Sequence, residues 1–393
     1  MEKVSNEKQI VEALDKIVNA PDIEVKPLLR LKHISHLDLD GYGATFLSKI
    51  LMNFFPNGAM TLETANILPN KLISEIEKTL ENINDYDLIV ITDLAINQKI
   101  IDIITNNPEG NKFRIFDHHV SEIDKKPENF VITEKSPLHP NKLTCATELY
   151  YNFIKNDKVY GLIHDQSVRR MLAYLVECIR VYDTFEFWST RNDPINEIDM
   201  SYYDAPRLNT LFHIMSREEF IDYLEKRMYS PTSRLTTSSD EFPWISKILE
   251  LENNKNTKYV ESAIRRMART PFKYTIYKDN VIYKLEYNIG VIFAEKSSPV
   301  IANTALERFD DIDFCAVVSN NQISIYSNRP NVDVSKIAMV FGGGGHKEAA
   351  GFTIPYINAS VFNMNHFKDI VMCAGHLNQN DYNYNSEDVT DTN

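Results

Sequence analysis

LKHISHLDLDGYGATFLSKILMNFF, residues 31–55, runs from a short apolar stretch into a cluster of polar side chains and out again along an amphipathic pattern. Residues 31–35 read as a strand that runs into His36. Phe46, Leu47, Ile50, Leu51 and Phe54 recur at helical spacing, which predicts a helix over 45–55. Between them His36, Asp38 and Asp40 occupy alternate positions, and Gly41 permits a tight turn into the helix. Alternate residues of an extended chain point the same way, so the three side chains are expected to face one point. Imidazole and carboxylate together suit Mn²⁺, Zn²⁺ or Mg²⁺. Read alone, the stretch is equally a polar loop in which Asp38 or Asp40 caps the helix.

The same device recurs downstream. Residues 87–92 (DLIVIT) form a buried-strand pattern ending at Asp93, and residues 112–116 form another ending at Asp117, His118 and His119. A helix is expected over 144–155, capped by Thr144. The next is marked by Val168, Met171, Leu172, Leu175, Val176, Ile179 and Tyr182 at three- and four-residue steps, with Asp183 at its end. Strands alternating with such helices point to a parallel α/β domain. Taken singly, Asp93 reads as a turn residue, the adjacent histidines as structural, and Asp183 as a solvated helix end. An acid at that helix end opposes the dipole, which hints at a compensating positive charge. Taken jointly, they are delivered to the C-terminal ends of parallel strands, where open sheets bind ligands. His36, Asp38, Asp40, Asp93, His118 and Asp183 are enough ligands for two metals. Such a pair activates water and neutralises phosphoryl charge.

The chain of 393 residues is long for one core and suggests two domains or more. Hydrophobic content of 43% and charged content of 25% are ordinary for a soluble protein. No run is long enough to span a membrane. The N-terminal MEKVSNEKQIVEALDK reads as an amphipathic helix rather than a signal peptide, so a cytoplasmic protein is expected. Cys145, Cys178, Cys315 and Cys373 are widely spaced without a C-x-x-C pair, and are expected to be reduced thiols. The net charge of −13 suits a substrate with few phosphates better than a long nucleic acid, which calls for a basic surplus.

Residues 191–275 are helical and charged, punctuated at Asp193-Pro194, Ser230-Pro231 and Asn253-Asn254, and read as a connecting region. A second α/β unit begins near Phe272. Strands are expected over 281–287, 290–294, 314–318 and 323–326, with helices over 299–308 and 334–341. Gly342, Gly343, Gly344, Gly345 and His346 follow. Consecutive glycines let backbone N–H groups cradle an anion, although the spacing is not that of a Walker loop. Ser327 and Arg329 follow a strand and are placed to reach the same phosphate. The tail over 378–393 is polar, without apolar period, and is expected to be disordered.

HLDLDG, the isolated Asp93, DHH at 117–119 and Asp183 resemble, in this order, the four metal motifs of the DHH phosphoesterase superfamily. Ser327-Asn328-Arg329, the stretch from Asp333 to Ala338 and FGGGGHKEAAGF (341–352) resemble its DHHA1 substrate-binding domain. The resemblance covers about residues 30–190 and 275–355. It implies a parallel-sheet DHH catalytic domain over 1–190 and a smaller α/β DHHA1 domain over 276–377. His36, Asp38 and Asp93 would hold one metal and Asp40, Asp93, His118 and Asp183 the other, with Asp93 bridging. Asp117 would support the centre, and His119 would lie close to the scissile phosphate. Ser327, Arg329, Gly343, Gly344, Gly345 and His346 would bind the substrate. The implied cofactors are two divalent ions, Mn²⁺ being usual in the family.

The implied reaction is hydrolysis of phosphodiester bonds by activated water, releasing nucleoside monophosphates. His36 and the absence of an OB-type segment separate the chain from the single-strand exonuclease branch. Neither membrane and sensory segments nor the C-terminal domain of family II pyrophosphatases is found. What remains resembles the stand-alone nanoRNA-degrading oligoribonucleases. The alternatives are a cyclic-nucleotide phosphodiesterase, a small-nucleotide phosphatase, a RecJ-like single-strand DNA exonuclease and a non-catalytic nucleotide-binding module. The expected partner is a short oligonucleotide or small nucleotide. A membrane is not expected, and a homodimer is allowed.

Overall fold

The computed structural model describes residues 29–119, 126–195, 197, 199–230, 234–278, 281–319 and 322–353. The expected N-terminal helix, Cys373 and the tail over 378–393 lie outside them. The chain divides into two compact units between Leu249 and Glu250.

The first unit opens with strand β1 (Leu29–Ser35), helix α1 (Leu39–Phe54), β2 (Met60–Asn66), α2 (Leu72–Glu81), β3 (Leu88–Thr92), α3 (Gln98–Thr105), β4 (Phe113–Asp117) and β5 (Phe130–Ile132). Helices α4 (Ala146–Asn156), α5 (Gln166–Asp183), α6 (Phe187–Thr190), α7 (Met200–Ile214) and α8 (Arg217–Met228) follow, and α9 (Ile245–Arg265) begins in the first unit and continues into the second. The five strands pair in the order β2-β1-β3-β4-β5, and every pair is parallel. Both faces are apolar and both are covered, as a parallel sheet requires. Ile34, Ile89, Ile91, Phe113 and Ile115 pack with Leu72, Ile76, Ile100, Ile101 and Ile104. Leu31, Val90 and Phe116 pack with α1, α4 and α5 on the other face. Strand order reverses between β1 and β3, and that switch point opens a crevice beyond the strands' C-terminal ends. His36 leaves β1 there and Asp93 leaves β3.

The region over 191–275 is not a free connector. Leu208, Leu211, Phe212, Phe220, Tyr223, Leu224 and Met228 of α7 and α8 are buried in the same core as α1, α4 and α5. The sequence had offered only helical, charged stretches here, and the fold shows that two of the helices complete this core.

The second unit contains β6 (Ala268–Lys278), β7 (Val281–Phe293), α10 (Ser298–Arg308), β8 (Phe314–Ser319), β9 (Gln322–Tyr326), α11 (Val334–Val340), β10 (Gly344–Gly345) and β11 (Ala349–Thr353). Its strand order is β10-β11-β9-β8-β7-β6; β7 and β8 are parallel and the other pairs antiparallel. The two strands expected over 281–294 are one. Gly290 does not break it, but makes room for Met267, whose sulfur lies 2.7 Å from where a Cβ would stand. No helix among the described residues is long and apolar enough to cross a membrane. Cys145, Cys178 and Cys315 are free and buried.

Candidate metal centre

Asp38 starts helix α1. Its backbone is extended and its Oδ1 accepts from the Gly41 N–H at 3.0 Å. An aspartate at this position satisfies one of the N–H groups a helix start leaves open. The helix therefore begins at Leu39, six residues before the start expected from the apolar period. Gly41 is required because a Cβ would stand 2.3 Å from the His36 carbonyl oxygen.

This early start changes where Asp40 points. His36, Asp38 and Asp40 were expected to share one extended face, but Asp40 lies in the first turn of α1. Its carboxylate accepts from the N–H groups of Ala146 at 2.7 Å and Thr147 at 2.8 Å, at the start of α4. Cys145, not Thr144, stands at the α4 cap position, and the Thr144 hydroxyl donates to Glu148 instead. The first motif is thus split between two groups of ligands.

In the first group His36 Nδ1 lies 2.7 Å from Asp38 Oδ2 and 3.6 Å from Asp93 Oδ2. In the second, His118 Nε2 lies 3.3 Å from Asp93 Oδ1, 3.5 Å from Asp183 Oδ2 and 3.9 Å from Asp40 Oδ2. Asp93 gives one oxygen to each. Its φ of 56° is in the left-handed region, which asparagine and aspartate enter more readily than most residues. The Asp93 N–H, donating to Phe116 O at 3.1 Å, secures that turn. Ligand atoms of His36, Asp38 and Asp93 lie within 4.8 Å of one another, as do those of Asp40, His118 and Asp183, and those of Asp93, His118 and His119.

The electrostatics are those of a site built for cations. Burial, then the charges of Asp38 and Asp40, push the Asp93 carboxyl well above the usual range. Burial, opposed by His118 and reinforced by Asp40, pushes Asp183 up to about 7. His36 is raised to about 10 by its hydrogen bond to Asp38 and by the neighbouring Asp93 carboxylate. For His118 burial works against the charged ring, but the charges of Asp183 and Asp40 outweigh it. Asp93 Oδ2 and Asp117 Oδ2 are buried without a hydrogen-bond partner among the described residues. Buried acceptors left open are costly, and a divalent ion would satisfy that of Asp93. The oxygen and imidazole donors fit such an ion. His33, three residues upstream of His36, is the contrast. Its nitrogens meet Ser48 Oγ at 2.8 Å and Thr92 Oγ1 at 3.0 Å, and burial lowers its pKa to about 3.

Asp117 belongs to neither main group. Its Oδ1 accepts from His119 Nδ1 at 2.7 Å and from the His119 backbone N–H at 3.3 Å. Burial opposes the charged form of His119, but Asp117 outweighs it and raises its pKa. The His118 and His119 rings lie 4.5 Å apart.

A further polar cluster was not read from the sequence. His139 Nε2 lies 3.0 Å from Glu177 Oε2 and 3.8 Å from Glu148 Oε1. It has a cation already. Arg180, fully buried, donates to both oxygens of Glu177, to both of Glu186 and to Leu143 O. This network fixes α5 one turn before Asp183. Its sequence signal was the Glu177–Arg180 pair at helical spacing.

In the second unit the glycine run is structured by its own backbone. Gly342, at φ 75°, ends α11: its N–H donates to Met339 O at 3.1 Å, and that of Gly343 to Ala338 O at 2.9 Å. Those two N–H groups are therefore not part of an anion cradle. A Cβ on Gly343 would stand 2.1 Å from Gly351 O. On Gly345, at φ 140°, it would stand 2.6 Å from Ala349 O. β10 and β11 form a hairpin closed by His346 N–H to Ala349 O at 2.7 Å. Gly344 faces open space, and with Gly342, Gly343, Gln322, Gly351, Phe352 and Thr353 it lines a concavity. Ser327 is buried, its hydroxyl donating to Asp313 O at 2.7 Å. Arg329 donates to the carbonyls of Ile312, Leu306 and Phe309 at 3.1–3.2 Å.

No family model matches the chain. It is 28% identical over 327 residues to the oligoribonuclease NrnB of Bacillus subtilis (strain 168), covering 81% of this chain and 72% of that protein. It is 25% identical over 361 residues to a 3′,5′-cyclic-nucleotide phosphodiesterase of Helicobacter pylori, covering 87% of this chain and 97% of the relative. Among solved structures, RecJ of Thermus thermophilus in complex with Mn²⁺ aligns at a TM-score of 0.52 and 14% identity, covering 94% of this chain and 54% of that one. That likeness concerns the fold.

Proposed function

We propose that this chain, a phosphoesterase of the DHH/DHHA1 family resembling the nanoRNA-degrading oligoribonucleases, hydrolyses short oligonucleotides or linear dinucleotides to nucleoside monophosphates. The observation that carries the reading is Asp93: buried, in a left-handed turn, with one oxygen toward each ligand group and Oδ2 left without a hydrogen bond. The same reading gives the site two divalent ions, Mn²⁺ first among them. His36, Asp38 and Asp93 would hold one, and Asp40, Asp93, His118 and Asp183 the other. Bound there, the ions lower the pKa of water and neutralise phosphoryl oxygens.

The protein groups do the rest. Asp40 ties α1 to the start of α4 and so fixes its own carboxylate. Asp117 holds His119 by Nδ1 and leaves Nε2 to donate a hydrogen bond to an oxygen of the scissile phosphate. On the second unit, Gly343, Gly344, Gly345 and His346 are proposed as a substrate-binding surface; the Ser327 and Arg329 side chains are spent on backbone carbonyls between Leu306 and Asp313. The acidic chain and its relatives favour a short substrate.

The test is a parallel assay with Mn²⁺ of 5′-phosphorylated oligoribonucleotides of increasing length, 3′,5′-cyclic nucleotides and 3′-phosphoadenosine 5′-phosphate, read by product size. Mononucleotides released fastest from the shortest oligomers support the reading. Cleavage of the monoester alone overturns it. Cleavage of cyclic nucleotides alone would favour the second reading, which the 97% coverage of the Helicobacter relative motivates. The paired substitution Asp117→Ala with His118→Ala is expected to abolish turnover while keeping the fold.

A further inference from the structure

The corner between α7 and α8 places a cation and two rings beside the first motif. Phe212 is buried, and its ring lies 5.5 Å from the Tyr42 ring and 5.4 Å from the His213 ring. The Arg217 guanidinium sits 3.5 Å over the Phe212 ring and 5.6 Å from that of Tyr42, and it donates to the Phe212 carbonyl. Tyr42 stands in the first turn of α1, its N–H donating to Asp38 O at 3.0 Å. His213 is exposed, and partial burial of its ring and then the charge of Arg217 lower its pKa, with Asp38 acting the other way.

In a chain with 55 acidic and 42 basic residues, a cation without a carboxylate partner calls for a reason. Among the described residues no acid pairs with Arg217, and none hydrogen-bonds the ring of His213. Arg217 is also held flat by the Phe212 ring, so little freedom is lost when it grips an anion. Imidazole and phenol rings next to such a cation stack nucleobases whatever the sequence.

Resting on the function proposed above, we propose that this corner is a nucleotide subsite. Arg217 grips the phosphate adjoining the scissile one, and Tyr42 with His213 seats the base that it carries. The helices over 200–228 then select for a second nucleotide, and substrates without one gain nothing from them.

The experiment uses the full chain with Mn²⁺ and compares Arg217→Ala, Arg217→Lys and His213→Ala with the parent. Substrates are a 5′-phosphorylated dinucleotide and bis-p-nitrophenyl phosphate, a diester with neither base nor second phosphate. Loss of a charged hydrogen bond is expected to raise KM for the dinucleotide roughly ten- to a hundredfold in Arg217→Ala, with less effect in His213→Ala and partial rescue in Arg217→Lys. Turnover of bis-p-nitrophenyl phosphate should stay at the parent's value, which separates loss of the subsite from any loss of stability caused by the lost contacts to Phe212. Affinity for a dinucleotide with a phosphorothioate link, measured without turnover, should fall by the same factor. Unchanged affinity and KM in both alanine variants would overturn the subsite. Failure of the parent to cleave the dinucleotide would instead count against the proposed function, while the binding measurement would still decide the subsite.

Discussion

The C-terminal edge of the first sheet and the glycine hairpin of the second unit are both polar ends of apolar strands, yet they are finished in opposite ways. At the first, five aspartates and three histidines crowd together, two buried carboxylate oxygens lack hydrogen bonds, and Asp93 sits in a left-handed turn. At the second, the backbone closes on itself: Gly342 and Gly343 stop α11, and Gly345 folds the hairpin. Unsatisfied buried charge marks a place that waits for something positive. Satisfied backbone marks a scaffold that offers its surface.

The largest effect is expected at Asp93. Asp93→Asn keeps the shape and tolerates the positive φ, but removes the charge both groups share; kcat should fall on the order of a thousandfold. Without metal the same change should stabilise the protein. The sign follows from the carboxyls: Asp183, near 7, and Asp93, also raised, keep protons that unfolded aspartates release near about pH 4. The contribution of these two carboxyls to metal-free stability is therefore fully present below that pH and is lost as pH rises toward 7. Thermal unfolding in a chelator should show Tm falling over that window in the parent and falling less in Asp93→Asn. A larger fall in the variant would break the contrast.

Next in size is Arg329→Ala. It strands the carbonyls of Leu306, Phe309 and Ile312 and should cost about 1–3 kcal/mol in urea unfolding. An unchanged stability with a raised KM would move Arg329 from the scaffold to the substrate. The smallest effects separate the glycines. Gly345→Ala should destabilise by more than about 1 kcal/mol, because its φ and the nearby Ala349 carbonyl exclude a side chain. Gly344→Ala should leave stability within about 0.5 kcal/mol and alter only substrate affinity. Equal losses at both positions would erase the distinction between framework and surface.

The two regions also differed in how far the sequence disclosed them. DLIVIT before Asp93 and the run before Asp117 placed β3 and β4 to within a residue, because a buried parallel strand is a short apolar run with a polar end. The meeting of His36, Asp38, Asp93, His118 and Asp183 was legible for the same reason. The direction of Asp40 was not: the turn at Leu39 is set by a hydrogen bond from Gly41 to Asp38, which no apolar period announces. β10 and β11 were hidden because glycines carry no alternating pattern. β6 is an edge strand containing Pro271, which weakens a strand reading. The helices over 200–228 read as a charged connector, because their buried residues are interleaved with charged ones and their place in the first core is set by tertiary packing.

The most direct test of the centre is a crystal of the chain soaked in Mn²⁺, with diffraction collected at the manganese edge. Two anomalous peaks roughly 3.5–4 Å apart, on either side of the Asp93 carboxylate, are expected. One should lie against His36 and Asp38, the other against Asp40, His118 and Asp183. A map with no peak at Asp93, or with manganese bound only elsewhere on the first unit, would contradict the account.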